Sequence, residues 1–350
     1  MKKRIAILCK YNSDGASSRY RSYNYEKYFN SYNIDVTYFP LLIDNYINSL
    51  YKKNSFKIFV YQFTGVVRRI FQLIFHMHKF DFLIIEKELI PNCPYFLEKL
   101  LLFRKNFSLD FDDYTGTDYK TNPLKRVFLK NKIDNLAKTA KFVTVGNNWY
   151  FTEIKSKNLV YLPTVIDLDK YISIKKHKND HVITLVWIGS PTTVKYLDNL
   201  KPVLQKLAQR REFKLKIIGG KLDLPGIEIK EVAWNAESEI KEILTGDIGL
   251  MPLNDTLWEK GKCGFKLIQY MACGLPVVAS PAPANAEIIE INKTGYIASD
   301  ASQWEYYLDK LMTEHELRSD FGYRGRERVE KLYSYQFWGE KFAELVYKNC

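Results

Sequence analysis

The sequence predicts an α/β protein made of two doubly wound parallel sheets, and three observations carry that expectation. Short apolar, β-branched runs alternate with helical stretches, the pattern of parallel-sheet proteins. The alternation stops at a polar run, Ser173 to Asp180 (SIKKHKND), and restarts at His181. The 350 residues are too many for one ordinary core and suit two domains of about 150 residues each.

In the first half, strands are expected at Arg4 to Cys9, Asp35 to Phe39, Phe82 to Glu86, Asn106 to Asp110 and Phe142 to Val145, with helices between them. After Leu162-Pro163-Thr164-Val165-Ile166-Asp167 and the polar run, the second series is His181 to Gly189, Lys214 to Gly220, Ile227 to Trp234, Asp247 to Leu253 and Leu275 to Ser280. The expected organisation is an N-terminal Rossmann-like domain over 1–168 and a linker over 169–180. A C-terminal Rossmann-like domain then covers 181–330, and a last helix over 331–350 packs back toward the first domain. Met1-Lys2-Lys3-Arg4 is a basic start, but the apolar run Ile5 to Cys9 is too short for a secretory signal, so a cytoplasmic protein is expected.

The hydrophobic share of 46 % and aromatic share of 15 % can fill such cores, and no repeat of solenoid period is present. Five scattered cysteines, without C-x-x-C spacing, suggest neither a disulfide framework nor a zinc site. A net charge of +12 suits nucleic acid, an anionic membrane surface or phosphorylated small molecules. The sequence has no zinc finger, helix-turn-helix signature or RNP-like strand, so nucleic acid is not expected as a partner.

Two stretches carry chemistry. GKCGFKLIQYMACGLPVVAS (Gly261 to Ser280) follows the strand at Asp247 to Leu253 and therefore lies at the carboxyl end of the sheet, where open α/β sheets bind ligands. Gly261 and Gly264 allow close backbone approach, and a helix from Phe265 to Cys273 aims unpaired amides at an anion. Lys262 and Lys266 add full charge suited to a diphosphate. Gly274 is placed to cap that helix, with Pro276 beyond it. The bland alternative is a tight turn with solvated lysines. WIGSPTTVKYL (Trp187 to Leu197) is a strand, a turn at Gly189-Ser190-Pro191 and a helix whose first turn carries Thr192, Thr193 and Lys195, a second phosphate-friendly start.

At these residues the chain resembles the retaining GT-B glycosyltransferases that use nucleotide sugars, the large group 1, family-4 type, over nearly its whole length. YMACGLPVVAS (Tyr270 to Ser280) matches the family run that follows a Glu, seven residues and a second Glu. Here those acids fall on Gly261 and Gln269. The resemblance implies two Rossmann-like domains facing a cleft and transfer of a sugar from a nucleoside diphosphate to a hydroxyl with retention. The donor is the substrate, and neither cofactor nor metal is implied. Lys195 and Lys266 would neutralise the leaving diphosphate beside Gly189, Ser190, Lys262, Cys263, Gly264 and Phe265. Gln269 would hold the ribose, since an amide both donates and accepts, and Val232 or Trp234 would border the base. Glu259 is the available stand-in for the acid missing at Gly261. The loop ending in SRYR (Gly15, Ser17, Ser18, Arg19, Arg21) stands where the family has its flexible loop facing donor and acceptor. VGNNWY (Val145 to Tyr150) and LPTVID (Leu162 to Asp167) stand where it crosses between domains.

LDFDDYTG (Leu109 to Gly116) has three readings: a D-x-D metal or phosphatase motif, carboxylates at a cleft edge, or an Asp capping the next helix. Many relatives place a His here, close to the sugar, and Asp112 or Asp113 takes that position.

The last feature is Phe56 to Phe75, where apolar residues fall at 56, 59, 60, 63, 66, 67, 70, 71, 74 and 75 with Lys57, Arg68 and Arg69 elsewhere. This is a helical stripe. It reads either as a helix packed on the first sheet or as a surface helix in an anionic leaflet, with Arg68 and Arg69 near the headgroups. The combined expectation is a glycosyltransferase, cytoplasmic or peripheral on the inner face of a membrane, acting on a glycan or lipid-linked glycan acceptor in cell-surface polysaccharide synthesis. The competing classes are a non-catalytic nucleotide or glycan binder of the same fold and a D-x-D phosphatase-like enzyme.

Overall fold

A computed structural model of the protein describes residues 2–43, 46–52, 54–175 and 182–350. The chain divides into two compact units. The first comprises Met1–Thr164, Lys260–Cys263 and Trp338–Cys350; the second comprises Val165–Glu259 and Gly264–Phe337. Residues 176–180 of the expected linker, and His181 at the start of the expected strand, lie outside the described residues.

The first unit holds strands β1 (Lys3–Leu8), β2 (Ile34–Tyr38), β3 (Phe82–Glu86), β4 (Phe107–Phe111), β5 (Val143–Val145) and β6 (Leu159–Tyr161), in the order β2-β1-β3-β4-β5-β6. Every pairing is parallel. β3 and β4 are buried at every position and β1 from Ile5 onward, because helices cover both faces of such a sheet. Ile5, Ala6, Leu83, Ile85 and Leu109 are buried accordingly.

The second unit holds β7 (Ile183–Ile188), β8 (Phe213–Ile218), β9 (Glu228–Val232), β10 (Ile248–Met251), β11 (Val277–Ala279) and β12 (Gly295–Ile297), ordered β12-β11-β10-β7-β8-β9 and again all parallel. Its strand order reverses between β7 and β10, and the first unit's between β1 and β3. A reversal leaves the loops at the carboxyl ends of two neighbouring strands diverging, and ligands bind in that crevice.

The helix Phe265–Ala272 is buried along Leu267, Ile268, Tyr270 and Met271. Gly264, with φ of 65°, turns the chain into it, and Gly274, with φ of 77°, ends it. Both angles lie in the left-handed region that glycine enters without the Cβ penalty.

Candidate functional site

In the second unit the two phosphate-friendly stretches meet. β7 ends at Ile188, and the chain turns through Gly189 and Ser190. The Ser190 amide donates to Thr193 Oγ1 at 3.1 Å and its hydroxyl lies 2.8 Å from Thr192 Oγ1. A Cβ placed on Gly189 would come within 2.9 Å of Lys266 Nζ. The first turn of the helix Phe265–Ala272 therefore holds its ammonium against the bare backbone at the end of β7, at the switch point. Lys266 Nζ also lies 4.4 Å from the centroid of the buried Trp187 ring, a cation–π contact that fixes the charge. A glycine backbone, a cluster of hydroxyls and a fixed cation make an anion-binding corner.

Around this corner, Glu259 is buried and already accepts hydrogen bonds from Tyr196 Oη at 2.5 Å and from Thr256 Oγ1. Gln269 is 4 % exposed, and its Nε2 donates to Tyr171 Oη at 3.4 Å. Val232 closes β9 and its carbonyl accepts from the Gly219 amide at 2.8 Å. Trp234 is 41 % exposed, with its indole N–H held by Glu239 Oε2 at 2.8 Å. Phe265 packs at the edge of the core. Asn285 was not singled out from the sequence. It is fully buried, donates to the Ser280 carbonyl at 2.8 Å and leaves its Oδ1 without a hydrogen-bond partner, close to Gly264. The only signal for it is SPAPAN, a Pro-started helix turn after a strand.

The expected helix at Thr192 to Lys195 is a 3₁₀ helix, Val194–Leu200, and the α-helix begins only at Lys201. Pro202 fits the first turn of an α-helix but not its interior, which explains the late start. Lys195 is exposed on that 3₁₀ segment.

The first unit gathers charge at the carboxyl ends of β1, β3 and β4. Lys87 Nζ lies 2.9 Å from Asp112 and 3.1 Å from Asp113, and Lys262 is 3.9 Å from Asp113. Ser17 donates to Asp112 and, at 3.2 Å, to Glu86. Ser18 is buried and accepts from the Tyr11 amide at 3.0 Å. Lys87 holds a left-handed φ of 60°, a strained conformation that such sites tolerate. Burial and then the Asp112 charge raise Glu86 to about 7. Burial also works against ionised Asp112, but Lys87, Ser17 and Arg21 outweigh it and hold that carboxyl near about 2. Glu86 and Lys87 were missed by sequence reasoning, although a Glu-Lys pair closing an apolar strand was the available signal.

Several expectations change. Arg21 is not open to a substrate. It is buried, paired through two nitrogens with Asp110, and donates to the Leu162 carbonyl at 2.7 Å. Gly15 starts the helix Ala16–Arg21 with no room for a side chain, because a Cβ would lie 2.4 Å from Tyr11 Cβ. Arg19 reaches the Ser13 carbonyl at 3.4 Å. Asp112 and Asp113 do not cap the next helix, whose cap position is Thr115. Among the described residues no group of three or more His, Cys, Asp and Glu is arranged to hold a metal.

Gly261 and Cys263 belong to the first unit. The Cys263 thiol donates to the Asp112 carbonyl at 2.7 Å, and burial raises its pKa. Tyr150 Oη donates to the Gly261 carbonyl at 2.8 Å. A Cβ on Gly261 would lie 2.4 Å from Tyr114 Cβ and 2.9 Å from its backbone nitrogen. The position that carries an acid in the resembled family has no space for one here.

Two doubly wound six-stranded parallel sheets in one chain make the GT-B fold of glycosyltransferases. Residues 182–314 match the family model of the glycosyl transferases, group 1. The chain superposes on the sucrose-phosphate synthase from Thermosynechococcus elongatus with a TM-score of 0.70 at 14 % identity, covering 99 % of this chain and 98 % of that one. It superposes on Anabaena Alr3699/HepE in complex with UDP and glucose with a TM-score of 0.67 at 12 % identity, covering 99 % of both. It is 26 % identical over 176 residues to the N-acetyl-alpha-D-glucosaminyl L-malate synthase of Bacillus anthracis, spanning 47 % of this chain and 44 % of that protein. The chain spans less than half the length of the curated relatives it matches.

Proposed function

We propose that the protein is a glycosyltransferase that moves a sugar from a nucleoside-diphosphate sugar to a hydroxyl of a glycan or lipid-linked glycan, with retention of configuration, in the synthesis of a cell-surface polysaccharide. The observation that carries this is the Lys266 ammonium set against Gly189 at the switch point of the second sheet. Within the second unit, Lys266, the Ser190 and Thr193 hydroxyls and the exposed Lys195 supply a diphosphate site, and Trp234 supplies a flat face for a base. The UDP in the Anabaena complex favours a uridine nucleotide as the first donor base to test.

In this reading the bond from the anomeric carbon to the diphosphate oxygen breaks as the acceptor oxygen attacks from the same face, and the acceptor proton passes to the leaving phosphate. Fixed positive charge then stabilises the departing diphosphate. Asp112, Asp113 and Lys87 orient the acceptor in the first unit. A lipid-linked acceptor would bring the enzyme to the inner face of a membrane.

The test is incubation with a panel of nucleotide sugars while nucleoside diphosphate release is followed, with the product anomer read by NMR. Release from one donor with a retained anomer supports the reading. Nucleotide binding without turnover on any donor and acceptor supports the alternative, a non-catalytic binder, which the absence of space for an acid at Gly261 favours.

A further inference from the structure

The helix Ser55–Phe75 turns a mixed side to the protein, where Ile58, Tyr61 and Val66 pack beside its two arginines, and a row of large apolar side chains to the outside. Gly65, Arg69 and Leu73 are buried. Arg69 Nη2 donates to the Cys9 and Phe39 carbonyls at 2.9 and 2.8 Å, and Arg68 Nη2 to those of Pro40 and Leu41 at 3.1 and 2.8 Å. On the opposite side Phe56, Phe59, Phe63, Phe71 and Phe75 are 54 to 76 % exposed. Water does not stabilise that arrangement, and so large an apolar surface marks a contact.

Two further helices of the first unit share the character. Tyr95–Leu101 exposes Phe96 and Leu100, and Pro123–Leu129 exposes Leu124 and Phe128. Right-handed crossovers from β2 through β3, β4 and β5 place all these helices on one face of the sheet. Lys105 Nζ, just beyond the second helix, holds the Met77 carbonyl just beyond the first, at 3.2 Å.

The exposed charge carried by these three helices has one sign, and the acid of the neighbouring helix Gly116–Thr121, Asp118, is already paired with Lys125. Ser55–Phe75 and Pro123–Leu129 contain no Asp or Glu, and the single acid of Tyr95–Leu101, Glu98, is buried 3.1 Å from Lys132. The exposed charged residues of the three helices are Lys57, Lys99 and Arg126.

We propose that this helical face of the first unit lies in the plane of an anionic lipid leaflet, with the phenylalanines among the acyl chains and Lys57, Lys99 and Arg126 at the headgroups. A second copy of the chain fits less well, since a two-fold contact brings the same cations together. Ser55–Phe75 does not cross the bilayer, because the chain on either side of it enters the same sheet at β2 and β3 and Arg68 and Arg69 tie its middle to that sheet's loops.

The test is sedimentation of the full chain with vesicles of three parts phosphatidylcholine to one part phosphatidylglycerol, and with phosphatidylcholine alone. Sedimentation needs no turnover, so it fails or succeeds independently of the transfer reaction. The protein is expected to sediment with the anionic vesicles, less with the neutral ones, and less at high salt. Phe59→Ser/Phe63→Ser/Phe71→Ser should weaken binding at least about a hundredfold with an unchanged unfolding temperature. Lys57→Glu/Lys99→Glu should weaken it about tenfold or more. The proposal is overturned if the protein stays in the supernatant with both vesicle types, if binding ignores lipid charge and salt, or if the triple variant instead abolishes a concentration-dependent dimer.

Discussion

The Lys266 ammonium sits 4.4 Å from the centre of the Trp187 indole and fills the space where a side chain at Gly189 would begin, 2.9 Å from the position of its Cβ. The aromatic face holds the charge where a cation would otherwise sweep through solvent, so little ordering remains to be done when an anion arrives.

Lys266→Ala should therefore lower kcat at least about tenfold, because a charge-assisted hydrogen bond to phosphate stabilises the transition state by about 1.4 kcal/mol or more. Steady-state kinetics on the active donor check this. Unchanged kinetics in a folded variant would remove Lys266 from the site.

Restoring the acid at position 261 should not restore the familiar site. Gly261→Glu and even Gly261→Ala press a Cβ into the side chain and backbone of Tyr114, and overpacking of this kind costs about 1–3 kcal/mol. Both variants should unfold several degrees lower in a thermal scan. A Gly261→Glu protein of wild-type stability would show that Tyr114 and its loop move freely.

These two positions show what was legible in the sequence. The helix after Gly264, its Gly274 end and its place after β10 follow from local chemistry: left-handed glycines, an apolar stripe and a strand in front. β6 and β12 were not read, because three-residue strands at a sheet edge carry too little periodicity to register. Arg21 in SRYR reads like Arg19, and only the register of β4 shows that one of them is consumed by Asp110. The stripe from Phe56 to Phe75 announces a helix but not which side faces inward, since a buried arginine satisfied by loop carbonyls leaves no local mark.

Gln269→Glu should keep part of the activity. The buried amide donates to Tyr171 Oη, and a carboxylate can accept from the same hydroxyl while still taking hydrogen bonds from ribose. Complete loss of nucleotide binding, measured by calorimetry, would mean that the amide N–H makes a contact of its own.

Stability should fall as pH rises from about 5 to about 8. Glu86, raised by burial and then by Asp112, and Glu98, raised by burial against the pull of Lys132, both titrate at about 7, whereas unfolded glutamates titrate near about 4.3. Between those values the folded chain holds more protons than the unfolded one, so each rise in pH costs stability. Asp112 runs the other way. Held at about 2 by Lys87, Ser17 and Arg21 against burial, it contributes above the ordinary carboxylate range and loses that contribution only as pH falls through about 2. Glu86→Gln should flatten the slope between about pH 5 and pH 8 by a few degrees in Tm. A slope unchanged by the substitution would assign it elsewhere.

Arg68 and Arg69 supply the last prediction, because their position reverses the role expected for them at lipid headgroups. Arg69 is 1 % exposed, and the two guanidinium groups together donate to four backbone carbonyls, those of Cys9, Phe39, Pro40 and Leu41. Burial lowers the Arg69 pKa to about 10, still far above neutrality, so it stays charged. Arg68→Glu/Arg69→Glu removes those donors and sets a buried carboxylate against the bare carbonyls, a change of the kind that costs about 3–5 kcal/mol. The double variant should be largely unfolded in its first unit at room temperature by circular dichroism and proteolysis, whether or not vesicles are present. Arg69→Lys should lose less, since one ammonium can still reach the Cys9 and Phe39 carbonyls. A double variant that stays folded and merely loses vesicle binding would show that the arginines serve the lipid surface after all, and that the loop from Phe39 to Leu41 holds without them.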